Sequence, residues 1–549
     1  MLAVGIVLAG VFALQLGTNV LRVSDDRTFA SFQRDSEALV VGKIVSERAG
    51  VPIPMRDRGV ARANLALAWV DGAPPSYEAG IATVLQGYDL LDARVPLTDL
   101  RLSRVDYGGP GWENGVFASG AGIAVAAQDR SIARYIGRSA RVDGQSRIIQ
   151  SATFQGNVAL LRFSGPALVG DQITSVREVA ALGQPVEREV LRFNPYTSQY
   201  GLQGLSFAWA SEALGLSLDS MYIMTAAMLA CVLAALALLY ARIFGLIFCA
   251  GFVACMLLSP WITNYGRNIY WVPFTWFLPA VFLAIGLLSG TTLARTVAAA
   301  GYFLAVLLKC LCGYEYLSTV ILFAAAPCVV AIAVPVRAIA ARPAALWCAA
   351  ACVLGACAFA VALVCQSPLK APTVWQGVLT IVEQDALRRT QGDPSAFSAD
   401  GDAVSSLSQT TWSVVWRYVF QWRTDLLAGI PGTAFGYLLV AAAAVAVGRA
   451  VVARSDRWRH GVMLGAFVVP AVSWYVLGKG HSARHYHMNY VLWYMGAVPV
   501  CLWIGADTLH EIVRRFIPPP KATAADEGQP AAAGRQAGRQ RREKRKSRK

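Results

Sequence analysis

The chain has 549 residues, 56% hydrophobic and only 15% charged, with a mean hydropathy of +0.46. Soluble globular chains carry roughly 25% charged residues, so a soluble enzyme, a disordered scaffold and a fibrous repeat all fit poorly, and the composition is that of an α-helical polytopic membrane protein. The net charge of +15 is unevenly placed, with ten Lys and Arg between Lys521 and Lys549 against Asp526, Glu527 and Glu543. Beside apolar spans, such a basic excess marks a cytoplasmic face near anionic membrane lipids rather than a nucleic-acid partner.

Apolar runs long enough to cross a bilayer as a helix occur at 2–20, 220–240, 243–261, 272–290, 294–312, 317–336, 344–365, 429–448, 461–478 and 489–507. About ten transmembrane helices are therefore expected. The first run lacks the basic start and small-residue cleavage site of a signal peptide and is read as a helix. Arg242, Arg295, Arg337 with Arg342, and Arg449 with Arg454, Arg457 and Arg459 follow spans two, four, six and eight, and the basic tail follows span ten. These residues share one side if both termini are cytoplasmic, which predicts a multi-pass protein of the cell inner (cytoplasmic) membrane. All eleven cysteines fall in apolar stretches and read as small core residues.

The division expected along the chain is a first helix at 1–20, a large periplasmic loop at 21–218, spans two to seven at 219–366, a second periplasmic loop at 367–428, spans eight to ten at 429–515, and a disordered basic cytoplasmic tail at 516–549. The first loop is too long for a connector. Its pieces Arg147–Ala152 and Asn157–Arg162, separated by Phe154-Gln155-Gly156, read as a hairpin in a β-rich extracytoplasmic insertion near 95–190. The second loop begins acidic, with Glu383, Asp385, Asp393, Asp400 and Asp402. It ends in Trp412, Trp416, Tyr418, Phe420 and Trp422 interleaved with Arg417 and Arg423. That pattern suits a helix lying in the membrane interface, or a lid over a lipid substrate. The chain contains neither an internal repeat nor a phosphate loop ending in Gly-Lys-Ser/Thr, which disfavours a duplicated transporter and an ATPase.

Five groups on the outward side carry chemistry. Asp35 and Glu37 follow span one, where two carboxylates in a turn can approach one ligand or a divalent cation, and an apolar setting raises proton affinity as a general base requires. A solvated loop pair is the plainer alternative, and Asp25-Asp26 is a rival. Tyr196, Gln199 and Gln203 precede span two in a hydroxyl- and amide-rich loop suited to an acceptor or a sugar, or to capping the next helix. Arg267 sits among the aromatics between spans three and four. Lys309 lies inside span five, where an ammonium costs about 2.5–3.5 kcal/mol unless paired, either with Glu315 or with a lipid phosphate. Lys479–Tyr490 packs His481, His485 and His487 beside Arg484. The spacing is not that of a zinc protease, and the donors suit a phosphate or pyrophosphate head group.

A carboxylate pair after span one, a large first outer loop, a multi-helix body and cationic later loops together resemble the GT-C superfamily of integral-membrane glycosyltransferases. The resemblance covers most of the chain as architecture, and in motif only Asp35-Ser36-Glu37. It implies a polyprenyl-phosphate-linked sugar donor and an extracytoplasmic acceptor, whether glycan, lipid or protein. It gives Asp35 first, then Glu37, the role of catalytic base or metal contact. Arg484, His485, His487, Lys309 and Arg267 would then hold the donor phosphate. A lipid-linked glycan flippase or exporter would want charges deep in several spans, whereas most spans are uncharged along their middles. A surface-polysaccharide polymerase would work through the 367–428 loop and its arginines.

Overall fold

A computed structural model describes residues 2–49, 61–66, 100–102, 112–113, 116–117, 122–126, 139–142, 145–155, 158–165, 174–177, 190–336, 339–398, 401–422, 424–452 and 458–516. Arg337, Asp400, Arg423, Arg454, Arg457 and the basic tail lie outside them, as does the side chain of Asp35.

The chain starts with α1 (Leu2–Thr18), α2 (Asp26–Ser31) and α3 (Arg34–Ala49). Strands follow: β1 (Ala61–Ala66), β2 (Leu100–Leu102), β3 (Trp112–Glu113), β4 (Val116–Phe117), β5 (Gly122–Ala126), β6 (Ser139–Val142), β7 (Gln145–Gln155), β8 (Val158–Phe163), β9 (Thr174–Arg177) and β10 (Val190–Pro195). Eight of them pair in the order β2-β9-β6-β7-β8-β5-β4-β3, and β1 pairs with β10. The antiparallel β7–β8 pair closes with Gln155 opposite Val158. Phe154 and Gln155 of the expected Phe154-Gln155-Gly156 break therefore still pair in the strand. Pairing of β10 with β1 runs from Val190 opposite Ala66 to Pro195 opposite Ala61, and the chain then enters the helical body at Tyr196.

That body comprises α4 (Leu202–Leu214), α5 (Leu218–Phe244), α6 (Leu246–Leu258), α7 (Pro260–Tyr265), α8 (Phe274–Leu288), α9 (Thr292–Cys312), α10 (Leu317–Ala333) and α11 (Ala341–Gln366). The second polar segment forms α12 (Val374–Thr380), a π turn at Ile381–Ala386, α13 (Leu387–Arg389), α14 (Gly401–Leu407), α15 (Thr411–Phe420) and the short strands β11 (Asp425–Leu427) and β12 (Ile430–Pro431). Next come α16 (Ala434–Val452), α17 (Arg459–Leu477), α18 (Lys479–Arg484), a 3-10 stretch at Asn489–Met495 and α19 (Ala497–Phe516).

The protein is mainly helical, and among the described residues α5, α9, α11, α16 and α17 are long and apolar enough to cross a membrane. The pair Asn489–Met495 and α19 makes a sixth if counted as one span, and α1, α6, α8 and α10 are shorter apolar helices. Each of the ten expected runs thus contains a helix, but only five or six reach spanning length. The shortfall has local causes. Ser259 accepts a hydrogen bond from Ile262 N and Pro260 opens a new helix, so the expected span 243–261 breaks at residue 259.

Apolar surface gains little by leaving lipid for a neighbouring helix, so such a body is held by close packing and hydrogen bonds. Tyr240 on α5 sits among Phe244, Phe248, Phe252, Phe323 and Phe467 at ring-centroid distances of 5.4 to 6.4 Å. Tyr302 on α9 donates to Ala351 O on α11 at 3.1 Å, fixing that pair at mid-height. The chain divides into two compact units, Met1–Trp503 and Ile504–Lys549. In the second, the described residues are the end of α19, with Arg514 and Arg515 in its last turn.

Candidate functional site

A cavity of about 380 Å³ opens where the polar segments meet. Gln33 and Ser36 line it from the start of α3, Tyr196 from the chain after β10, and Tyr270 with Trp271 from the connection between α7 and α8. Glu315 comes from the α9–α10 turn, Arg388 and Arg389 from α13, and His481, Arg484, His485 and His487 from α18 and the residues after it. Every segment placed on the outward side by the arginine pattern contributes to this one cavity. None of the lining residues comes from the opposite set of loops.

Short hydrogen bonds hold α18 in place. Gly480 N donates to Thr390 O at 3.0 Å, Lys479 Nζ to Leu407 O at 2.7 Å, and Tyr418 on α15 to Ser482 O at 2.8 Å. A Cβ added at Gly480 would lie 2.7 Å from the Arg388 carbonyl, so only glycine lets α18 approach α13 this closely. Both arginines of α13 thereby line the same cavity as Arg484.

The charge is carried by guanidinium groups. Arg389 lies 3.7 Å from Glu315. Burial works against its charge, but Glu315, Tyr196 and Asp385 outweigh that and hold its pKa above the ordinary arginine value. Asp385 in turn is 2.7 Å from Lys370 and accepts from Ser198 at 3.1 Å. Arg484, half exposed, reaches Asp402 at 3.0 Å.

The histidines behave differently. Burial, then the neighbouring His485, Arg389, His487 and Arg484, push the His481 pKa well below 6.5. Burial, then His487 and the arginines, push His485 down to about 4. Both imidazoles are neutral at pH 7, so as the cavity stands they act as hydrogen-bonding groups and not as the cations expected from sequence. Tyr316 donates to Asn489 Oδ1 at 2.7 Å, and Asn489 Nδ2 lies 3.3 Å from His481 Nδ1. With the amide donating to Nδ1, the His481 proton resides on Nε2.

The residues picked out in the sequence divide into two groups. Tyr196, Arg484, His485 and His487 line the cavity. Asp35 stands on α3 between Gln33 and Ser36, two lining residues, but its side chain is outside the described residues. Glu37 turns elsewhere: it is buried and accepts from Tyr222 Oη at 3.1 Å and from Ile269 N at 3.2 Å. Arg267 donates to Phe29 O at 2.9 Å with its guanidinium 4.3 Å from the Phe29 ring. Lys309 Nζ donates to Gly313 O at 2.6 Å rather than forming the expected pair with Glu315. Gln199 accepts from Tyr270 Oη at 3.4 Å, and Gln203 bridges Tyr270 O at 3.2 Å and Cys312 O at 2.9 Å. These five brace the wall from behind, satisfying carbonyls and amides left open where helices end. The rival Asp25 caps α2 through Thr28 N at 2.8 Å. Hydrogen bonds from the Thr28 side chain and backbone hold its carboxyl below the usual value, the wrong direction for a base working at neutral pH.

Asn268 shapes the aromatic wall. Its Oδ1 accepts from Tyr270 N at 3.0 Å and Trp271 N at 2.9 Å, and Val272 next to them has φ +37°, a strained value for a β-branched residue. Trp271 stacks on Tyr316 with ring centroids 5.5 Å apart.

Sequence reading missed Arg388 and Arg389. Their signal was present: two adjacent arginines in a segment assigned to the face that should be poor in basic residues. Among the described residues no three His, Cys, Asp or Glu side chains are grouped to hold a metal ion. Glu37, one of the two residues considered for a divalent cation, spends its oxygens on Tyr222 and Ile269, so no step is assigned to a metal. Neither family models nor curated proteins nor solved structures give a match to the chain.

Proposed function

We propose that the chain is a GT-C-like membrane glycosyltransferase that moves a sugar from a polyprenyl-phosphate-type lipid to an extracytoplasmic acceptor. The observation that carries this reading is the cavity itself, where three arginines line one space with Tyr196, Tyr270 and Trp271 at the meeting point of the five segments expected on the outward side. A second, largely apolar hollow of about 540 Å³ is lined by Leu205, Trp209, Met224, Met228, Phe274 and Leu308. Tyr270 and Trp271 face the polar cavity while Val272 faces the apolar hollow, so head group and aliphatic chain of one lipid find complementary surroundings on either side of a single stretch of backbone. The reading includes ten crossings in the inner membrane, both termini cytoplasmic, and the strand-rich region near 95–190 standing outside the bilayer.

In this scheme Asp35 removes the proton from the acceptor hydroxyl as its oxygen attacks the anomeric carbon with inversion. The bond to the lipid phosphate breaks, and Arg388, Arg389 and Arg484 stabilise the charge that develops on the leaving phosphate. The acceptor and sugar face Tyr196 and the aromatic wall. Removing a general base commonly costs about 10²–10⁴-fold in rate with little loss of ground-state binding. Asp35→Asn is expected to bind a polyprenyl-phosphate sugar normally but transfer it at that reduced rate, whereas Arg484→Ala weakens donor binding. Full activity in Asp35→Asn with loss in Asp25→Asn or Asp26→Asn moves the base to that pair. Full activity in all of these variants overturns the mechanism.

One observation favours a second reading, a surface-polysaccharide polymerase working through the 367–428 segment: Arg388 and Arg389 come from it. That reading expects transfer to survive Asp35→Asn and to fail when the α13 arginines are replaced.

A further inference from the structure

At the end of α9 and α11 away from the cavity lies a separate hollow of about 500 Å³. The ends are assigned by two contacts. The turn after α9 carries Glu315 into the cavity wall, and Gln366, the last residue of α11, donates to Thr197 O at 2.9 Å beside Tyr196. The first turns of both helices therefore lie at the other end, about 30 Å away along the 21 residues of α9. Here Arg295 and Arg342 stand with the hydroxyls of Thr292 and Thr296 above an apolar floor of Leu346 and Trp347. The floor is built in, because Trp347 is buried and packs against α8 at Gly286, where an added Cβ would meet its ring at 2.4 Å.

We infer that this wedge between α9 and α11 binds the phosphate head group of an anionic phospholipid, with the acyl chains lying along Leu346 and Trp347. Both helices are of membrane-crossing length and composition, so the wedge sits where a head group meets its chains. Two guanidiniums and two hydroxyls are complementary to a phosphate diester. Basic pockets between transmembrane helices select anionic head groups in this manner. A zwitterionic lipid carries the same phosphate, but its ammonium group faces the two arginines and removes the advantage. The site does not depend on the transfer reaction.

The test uses the full-length protein in detergent, titrated with phosphatidylglycerol, phosphatidylcholine or inorganic phosphate, with retained lipid read by native mass spectrometry and stabilisation by thermal melting. Phosphatidylglycerol is expected to be retained and to stabilise, and phosphatidylcholine to do so weakly. Inorganic phosphate should give no stabilisation, which separates a lipid from a free anion. Arg295 and Arg342 are exposed, so Arg295→Gln with Arg342→Gln should fold and weaken phosphatidylglycerol binding about tenfold or more. Arg242→Gln, an exposed arginine outside the wedge, should leave it unchanged. Equal retention of both lipids, undiminished binding by the double variant, or an equal loss in Arg242→Gln overturns the assignment.

Discussion

His481 and His485 show how strongly setting governs a side chain. In sequence they read as cationic partners for phosphate. In the fold their burial beside Arg389 and Arg484 keeps both neutral. An unfolded imidazole titrates near 6.5, so below that value the unfolded chain binds protons that the folded chain refuses, until His485 itself titrates near 4. Stability linked to these groups is therefore complete above about pH 6.5 and declines as pH falls through this window. Melting temperatures should drop between pH 7 and 5, and replacing His485 with Gln should flatten that slope. An anion placed among the same groups reverses the balance and raises both pKa values. Donor binding near pH 5.5 should then take up protons, visible as a dependence of calorimetric enthalpy on buffer ionisation, with none near pH 8. Asn268 offers a second check. Its carbonyl satisfies two buried amides of the aromatic wall, and leaving such groups unpaired costs about 1–3 kcal/mol each. Asn268→Ala should lower the unfolding midpoint and weaken donor binding together, whereas Asn268→Asp should recover part of both.

Elements rather than single residues explain what was legible beforehand. Apolar runs announced the long helices of the body, since roughly 18 apolar residues leave few other choices, but not α4, which falls in the expected outer loop. Loop arginines sorted the polar segments into two sets, and those of one set meet at the cavity. Periodicity carries no information about which polar side chain faces inward, and that is where the reading went astray. Glu37, Arg267 and Lys309 stood out because charge near a span end is costly, yet that same cost directs them onto backbone partners, Ile269 N, Phe29 O and Gly313 O. The short α13 has no apolar signature, so its arginines went unnoticed. Its position rests on the close approach at Gly480. Gly480→Ala should force α18 and α13 apart by several tenths of an ångström or more, because the added carbon meets the Arg388 carbonyl at 2.7 Å. Donor affinity should fall severalfold with transfer, while a melt shows only a modest loss. An unchanged affinity would mean that the α13 arginines are not part of the donor site.

For the whole molecule, the proposed orientation makes a separate expectation. Reporters fused within 95–190 or near residue 400 should score as extracytoplasmic, and those placed after Phe516 or in the loop around residue 455 as cytoplasmic. A cytoplasmic score for the 95–190 fusion would invert the arrangement and move the cavity to the other face. The β1–β10 pair delivers Tyr196 to the wall. Deleting residues between those two strands should therefore harm the cavity less than unpairing them. Circular dichroism and donor binding on such a deletion would show whether the region serves mainly as a support.

The five-sided construction of the cavity also has a consequence in time. Gln33 and Ser36 leave the ribosome first, and His481 to His487 come almost last. At roughly 5–20 residues per second, the early wall waits on the order of 20 to 90 s for the final one. Until α18 docks onto α13, the cavity lacks one of its walls and Arg484 with it, so on the proposed reading a half-inserted chain grips no donor. On the proposed reading the protein is inert throughout its own synthesis and becomes competent in one late step, which every truncation before residue 480 is expected to miss.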